Sequence, residues 1–165
     1  MDIEAAHHFA HSLDEVWAMF LDPESHTEKF LEMGHRDIRV LDVEPGDGAL
    51  SITIESKVDG DVPAIARKFI HPTNTLTTSD RWHVDGDGVR TGQTTLQVKG
   101  VPVTTSAVAT VTEAADGDGC DYRIRLKVSL KVPLVGDRIV GALRPQILEQ
   151  IESEFAACES WLSRP

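Results

Sequence analysis

The sequence predicts an α+β chain in which a curved antiparallel sheet wraps around one long C-terminal helix, and three observations carry that prediction. In Tyr122, Ile124, Leu126, Val128, Leu130 and Val132 every second residue is apolar, while Arg123, Arg125, Lys127, Ser129 and Lys131 take the other face. That is the period of a strand with one wet side. After Pro133-Leu134-Val135-Gly136 the period changes: Val140, Leu143, Ile147, Leu148, Ile151, Phe155, Cys158, Trp161 and Leu162 fall within one arc of a helical wheel, opposite Arg138, Glu149, Glu152 and Glu159. Finally, the strands ahead are joined by Asp/Gly turns, with no helix between them to make parallel crossovers. A helix of roughly 40 Å, at 1.5 Å per residue, must lay its apolar stripe on something. The sheet face is the only large apolar surface on offer.

Taken in order, Ile3, Ala5 and Phe9 share one side of a first strand over residues 2–11. Ser12 then caps a short helix, with Glu15 completing a capping box and Val16, Trp17, Phe20 and Leu21 supplying the apolar face. Asp22-Pro23 breaks it, and a second helix from Pro23 carries Phe30 and Leu31 to its end near Met33-Gly34. Residues 38–43 lead through Glu44-Pro45-Gly46-Asp47-Gly48 into Leu50, Ile52 and Ile54, a hairpin. Further strands are predicted over 65–70, 76–84, 89–99 and 103–112, each bounded by Gly, Pro or Asp turns.

At 165 residues the chain is long enough for one domain with a real core, spanning 1–165. A net charge of -11 works against a phosphate backbone, so nucleic acid is not an expected partner. The stripe Arg123, Arg125, Lys127 and Lys131 reads as the solvated back of the last strand. No apolar run reaches the ~20 residues of a membrane span, so stable membrane insertion is not expected. The acidic start Met1-Asp2-Ile3-Glu4 does not resemble a signal peptide, and a cytoplasmic location is expected. Cys120, in a turn, and Cys158, on the helix face, read as free thiols. The sequence specifies no oligomeric state.

Ser12-Leu13-Asp14-Glu15-Val16-Trp17 followed by Phe20-Leu21-Asp22-Pro23, together with the order strand, two small helices, strand meander and long helix, resembles the START-like (SRPBCC) superfamily with its helix-grip fold. Within it, Pro63, Trp82, Gly92, Pro102, Pro133-Leu134-Val135-Gly136 and Trp161-Leu162 are similar to a bacterial family of unknown function, of the DUF2505 type. The likeness spans essentially the whole chain. It implies an elongated cavity between sheet and helix for lipids, sterols, polyketides or other apolar molecules, and it transfers no catalytic residue.

Physics reaches the same cavity by a separate route. A bowed sheet meets a straight rod along one line, so the rest of its concave face must be filled by large side chains or left open. Aromatic residues are only 5% of the chain, and Ala64, Ala66, Ala107, Ala109, Thr78 and Thr105 are small inward candidates. The residues expected to line the cavity are Phe30, Arg67, Asp80, Trp82, Leu96, Ala107, Tyr122, Leu126, Val140, Leu143, Arg144, Ile147 and Ile151. Polar residues on apolar faces are the sharper clue, because an uncompensated buried charge is costly. Arg144 lies inside the helix arc, Arg67 shares a predicted strand face with Ile65 and Phe69, and Asp80 shares one with Leu76, Thr78 and Trp82. An Arg-Asp pair could hold the polar head of an amphipathic guest; alternatively Arg144 snorkels at the edge beside Pro145.

No motif specifies catalysis or a cofactor. His7 and His11 could share one side of the first strand, but no HExxH, paired cysteines or carboxylate at ligand spacing completes a metal site. Asp85-Gly86-Asp87-Gly88 lacks the third acid and distal Glu of a calcium loop. Gly86, Gly88 and Gly92 miss the dinucleotide spacing by one residue. The expected function is binding of a small apolar or amphipathic molecule. The alternatives are a cyclase-, aromatase- or hydratase-like enzyme using the same cavity, and an interaction protein whose cavity is closed.

Overall fold

A computed structural model describes residues 1–165. In chain order it contains β1 (Asp2–Phe9), α1 (Leu13–Leu21), α2 (Pro23–Glu32), β2 (Arg36–Gly46), β3 (Ala49–Asp59), a single 3-10 turn (Ala64–Ala66), β4 (Thr73–Val84), β5 (Arg90–Val98), β6 (Val103–Glu113), β7 (Cys120–Leu130) and α3 (Gly136–Leu162). The seven strands form one antiparallel curved sheet in the order β1-β7-β6-β5-β4-β3-β2. Chain neighbours pair throughout, except that β1 joins the far edge beside β7. This is the helix-grip arrangement the residue periods predict.

Local chemistry sets the element ends. Ser12 Oγ accepts from Glu15 N at 3.1 Å and starts α1. Asp22 ends α1 with its backbone N–H on Met19 O, and its carboxylate accepts from Glu24 N at 3.0 Å to cap α2. One residue therefore closes one helix and opens the next. Along β7 the burial alternates, with Tyr122, Ile124, Val128 and Leu130 buried and Arg123, Arg125 and Lys127 on the outer side. The basic stripe is thus solvated, as its period implies.

Helix α3 rests on β7 and β1 and packs against α1, α2 and the 3-10 turn. The main core gathers Phe9, Val16, Trp17, Phe20, Trp82, Tyr122, Ile151 and Phe155. Within it the Phe20 and Trp82 rings stack 4.1 Å apart. Across the β4/β5 pair, where Trp82 faces Gly92, a Cβ on Gly92 would meet the Trp82 ring at 2.5 Å. The glycine is what lets the indole lie flat on β5.

Four expectations change. Residues 65–70 are not a strand: Ala64–Ala66 form the 3-10 turn, and the chain runs on to β4 without entering the sheet. The alternation of Ile65, Arg67 and Phe69 is real, but the N–H groups of Ala66, Phe69 and Ile70 bond within the segment, to Pro63 O and Ala66 O, rather than across to a strand. The last strand stops at Leu130, because Val132 N turns back onto Leu130 O at 2.9 Å. Strand β2 extends beyond 38–43 on both sides. Cys120 opens β7 and is buried, and it and Cys158 are free thiols.

Candidate functional site

Between α3 and the concave faces of β3 to β7 lies a cavity of about 580 Å³. It exists because α3 sits on the β7/β1 side of the sheet and leaves the curve of β4, β5 and β6 uncovered. Twenty of its 34 lining residues are hydrophobic, which suits a guest with an apolar body. Small side chains keep it open: Thr78, Thr105, Ala107 and Ala109 all line it. Exposed Asp59 at the end of β3, Gly60 and Asp61 after it, and Glu149 and Gln150 of α3 line its rim, where the Gln146 side-chain amide donates to the Asp61 carbonyl.

The inner end is polar. Strand alternation turns Thr78, Asp80 and Trp82 of β4 to the concave face. Asp80 is 6% exposed, and the β4/β5 register sets Thr94 directly opposite. Its hydroxyl donates to Asp80 Oδ1 at 2.5 Å. Helix α2 delivers Lys29, whose ammonium donates to Glu154 of α3 at 3.3 Å. Burial alone would push the Lys29 pKa down, but the Glu154 and Asp80 carboxylates reverse that and hold it above the ordinary lysine value. Burial first, then Glu154, Cys158 and Asp80, holds the Tyr122 phenol well above its usual value, so it stays a protonated donor. Burial, with Glu154 behind it, pushes the Cys158 thiol up to about 12, leaving it no thiolate at neutral pH.

His26 stands behind Asp80. Its Nε2–H donates to Phe20 O at 2.8 Å, and its Nδ1 faces Asp80 Oδ2 at 3.8 Å. Burial, and then the Lys29 charge, holds the ring below the ordinary histidine pKa. In the neutral ring Nδ1 is then an acceptor facing a second acceptor. Four buried polar atoms of lining residues, His35 Nε2, Asn74 Oδ1, Thr78 Oγ1 and Trp82 Nε1, have no hydrogen-bond partner.

The model of the family described as "Protein of unknown function (DUF2505)" matches residues 4–162. The chain belongs to that family. Among solved structures, the DUF2505 chain is similar to TTHA0849 from Thermus thermophilus, at 12% identity, with 98% of this chain and 97% of that one covered and a TM-score of 0.66. It is also similar to truncated norcoclaurine synthase from Thalictrum flavum, at 14% identity, with 100% and 94% covered and a TM-score of 0.63. A third likeness is Ara h 8.0201, at 12% identity, with 98% and 97% covered and a TM-score of 0.61. At these identities the likeness is one of fold, the helix grip. No curated protein sequence matches the chain.

Of the residues expected from sequence to line the cavity of this DUF2505 protein, Phe30, Asp80, Trp82, Leu96, Ala107, Tyr122, Leu126, Leu143, Ile147 and Ile151 do line it. Three do not. Arg67 follows the 3-10 turn, is exposed and donates through Nε to Val62 O at 3.3 Å. Arg144 is exposed beside Pro145. Val140 is buried, but in the smaller core with Ala66, Val128, Leu130 and Ile139 rather than against the cavity. The Arg-Asp head-group pair is therefore absent, and the cation near Asp80 is Lys29. Lys29, Glu154 and His26 escaped the sequence reading, although Glu154 lies between Ile151 and Phe155 on the apolar arc, a charge stranded where a charge is costly. His7 and His11 do not converge: each meets a carboxylate, Glu159 at 2.7 Å and Glu15 at 3.2 Å. No group of three His, Cys, Asp or Glu is arranged to hold a metal, and no helix is long and apolar enough to cross a membrane.

Proposed function

We propose that this protein binds one small apolar or amphipathic molecule in the cavity between the sheet and α3. The observation behind this reading is the cavity itself: about 580 Å³, apolar along its length and polar at one end. A volume of this size falls in the range of small-molecule sites, ~300–1,000 Å³. Apolar burial at ~25 cal/mol per Å² gives such a guest affinity without specialised chemistry. Organic extraction of the gently purified chain, followed by mass spectrometry, should release a small apolar compound in near-stoichiometric amount. Recovery of no compound, together with no uptake of neutral aromatic probes, would contradict the proposal.

A second reading has one observation in its favour. Lys29 and Tyr122, both with raised proton affinity, and the acceptors Asp80 and Glu154 meet at one end of a largely apolar chamber, which is what an enzyme using the cavity as a reaction vessel needs. The interaction-protein reading rests on a closed cavity, and a volume of about 580 Å³ does not favour it.

A further inference from the structure

The charges around the cavity are unbalanced. Its lining carries five carboxylates, Asp59, Asp61, Asp80, Glu149 and Glu154, against one ammonium, Lys29. Asp59 is taken by Arg36 at 3.0 Å on the outer side, and Glu154 by Lys29 at 3.3 Å. That leaves Asp61 and Glu149 exposed at the rim and Asp80 buried at the inner end, none with a lysine or arginine within ion-pair distance. A guest entering here passes two anions and ends at a third.

At the inner end Asp80 Oδ2 accepts no hydrogen bond. Thr94 occupies Asp80 Oδ1, but the nearest basic atom to Oδ2 is His26 Nδ1 at 3.8 Å, an acceptor in the neutral ring. Thr78 Oγ1, two residues along on the same face of β4, has no partner on a residue 6% exposed. An Asp80 oxygen without a donor, beside the unpartnered Thr78 hydroxyl and on a side that is net negative, calls for a group bringing several N–H bonds and a positive charge. A carboxylate head would add a further anion to the same space.

Resting on the binding function proposed above, we propose that the cavity selects an apolar molecule ending in an aliphatic ammonium, with the head against Asp80 and Thr78 and the body along the lining of β5, β6 and α3. Asp80 is the residue that sets this choice, and Asp61 and Glu149 favour the same charge on entry. Fatty acids and other anionic lipids of the same length are discriminated against.

Calorimetric titration of the full chain at pH 7 with octylamine, octanol and octanoate, all below their micellar concentrations, tests this. The body is constant and only the head changes. The expected order is amine, alcohol, acid, with the amine at least about tenfold tighter than the alcohol, as a charge-assisted hydrogen bond implies. Raising salt should narrow the amine's advantage, and Asp80→Asn should narrow it further. If octanol binds and octylamine binds no better, or octanoate binds best, the ammonium proposal is overturned while the cavity-binding reading survives. If none of the three binds, both fall. The ranking on the unaltered protein decides the matter even where Asp80→Asn fails to fold.

Discussion

His26 shows how one buried side chain links packing to acidity. Its ring is held neutral because burial, and then the Lys29 charge, oppose a second positive charge there, outweighing Asp80 and the Phe20 carbonyl. With the folded-state pKa below the ordinary histidine value of ~6.5, the unfolded chain takes up the proton more readily. Stability from this residue is therefore complete above about pH 6.5 and is lost as pH falls toward the folded pKa. Burial depresses His35 in the same direction. Thermal unfolding followed from pH 8 to pH 5 should show a falling Tm in the native chain and a shallower fall in His26→Gln, by ~1.4 kcal/mol per unit of pKa depression removed. Equal slopes would remove His26 from this role.

Among the elements, periodicity predicted the sheet and α3 because their two periods are unmistakable in Tyr122–Leu130 and Val140–Leu162. It misread Ile65 to Ile70 because three alternating residues cannot distinguish a strand from a short turn between prolines. Arg144 shows a different limit. A helical wheel gives an azimuth, and Arg144 shares that of Ile151, but coverage varies along the axis and only Ile151 is buried. The Lys29–Glu154 pair was out of reach for a third reason: it depends on α2 packing against α3, 125 residues away in sequence. The α1–α2 junction was legible, and it makes a prediction. Asp22→Ala removes the α2 cap while leaving the hydrophobic pattern intact, so urea unfolding should show a loss of about 1 kcal/mol, the usual cost of an N-cap. A change under a few tenths would show that tertiary packing alone fixes α2.

Viewed whole, the fold persists at 12% identity to TTHA0849 over nearly the full length of both chains. What the sequences must share is therefore a pattern of faces, periods and turns rather than particular side chains. Within that frame a cavity follows from where α3 lies and from small residues on β4 and β6, chiefly Thr78, Thr105, Ala107 and Ala109. The charge is uneven as well: a net charge of -11 overall and an excess of carboxylates around the chamber.

Ala107 is the position from which the central claim is best tested, since it lines the cavity from mid-β6, opposite Leu126 of β7 and Thr94 of β5. Ala107→Trp places an indole in space otherwise left for a guest, at a stability cost within the ~1–3 kcal/mol typical of overpacking. The measurement is the fluorescence titration of N-phenyl-1-naphthylamine, a neutral apolar probe, into the native chain and the folded variant. Saturable binding to the native chain at one site, weakened about tenfold or more in Ala107→Trp, is the predicted result; equal affinity for both proteins would contradict the account.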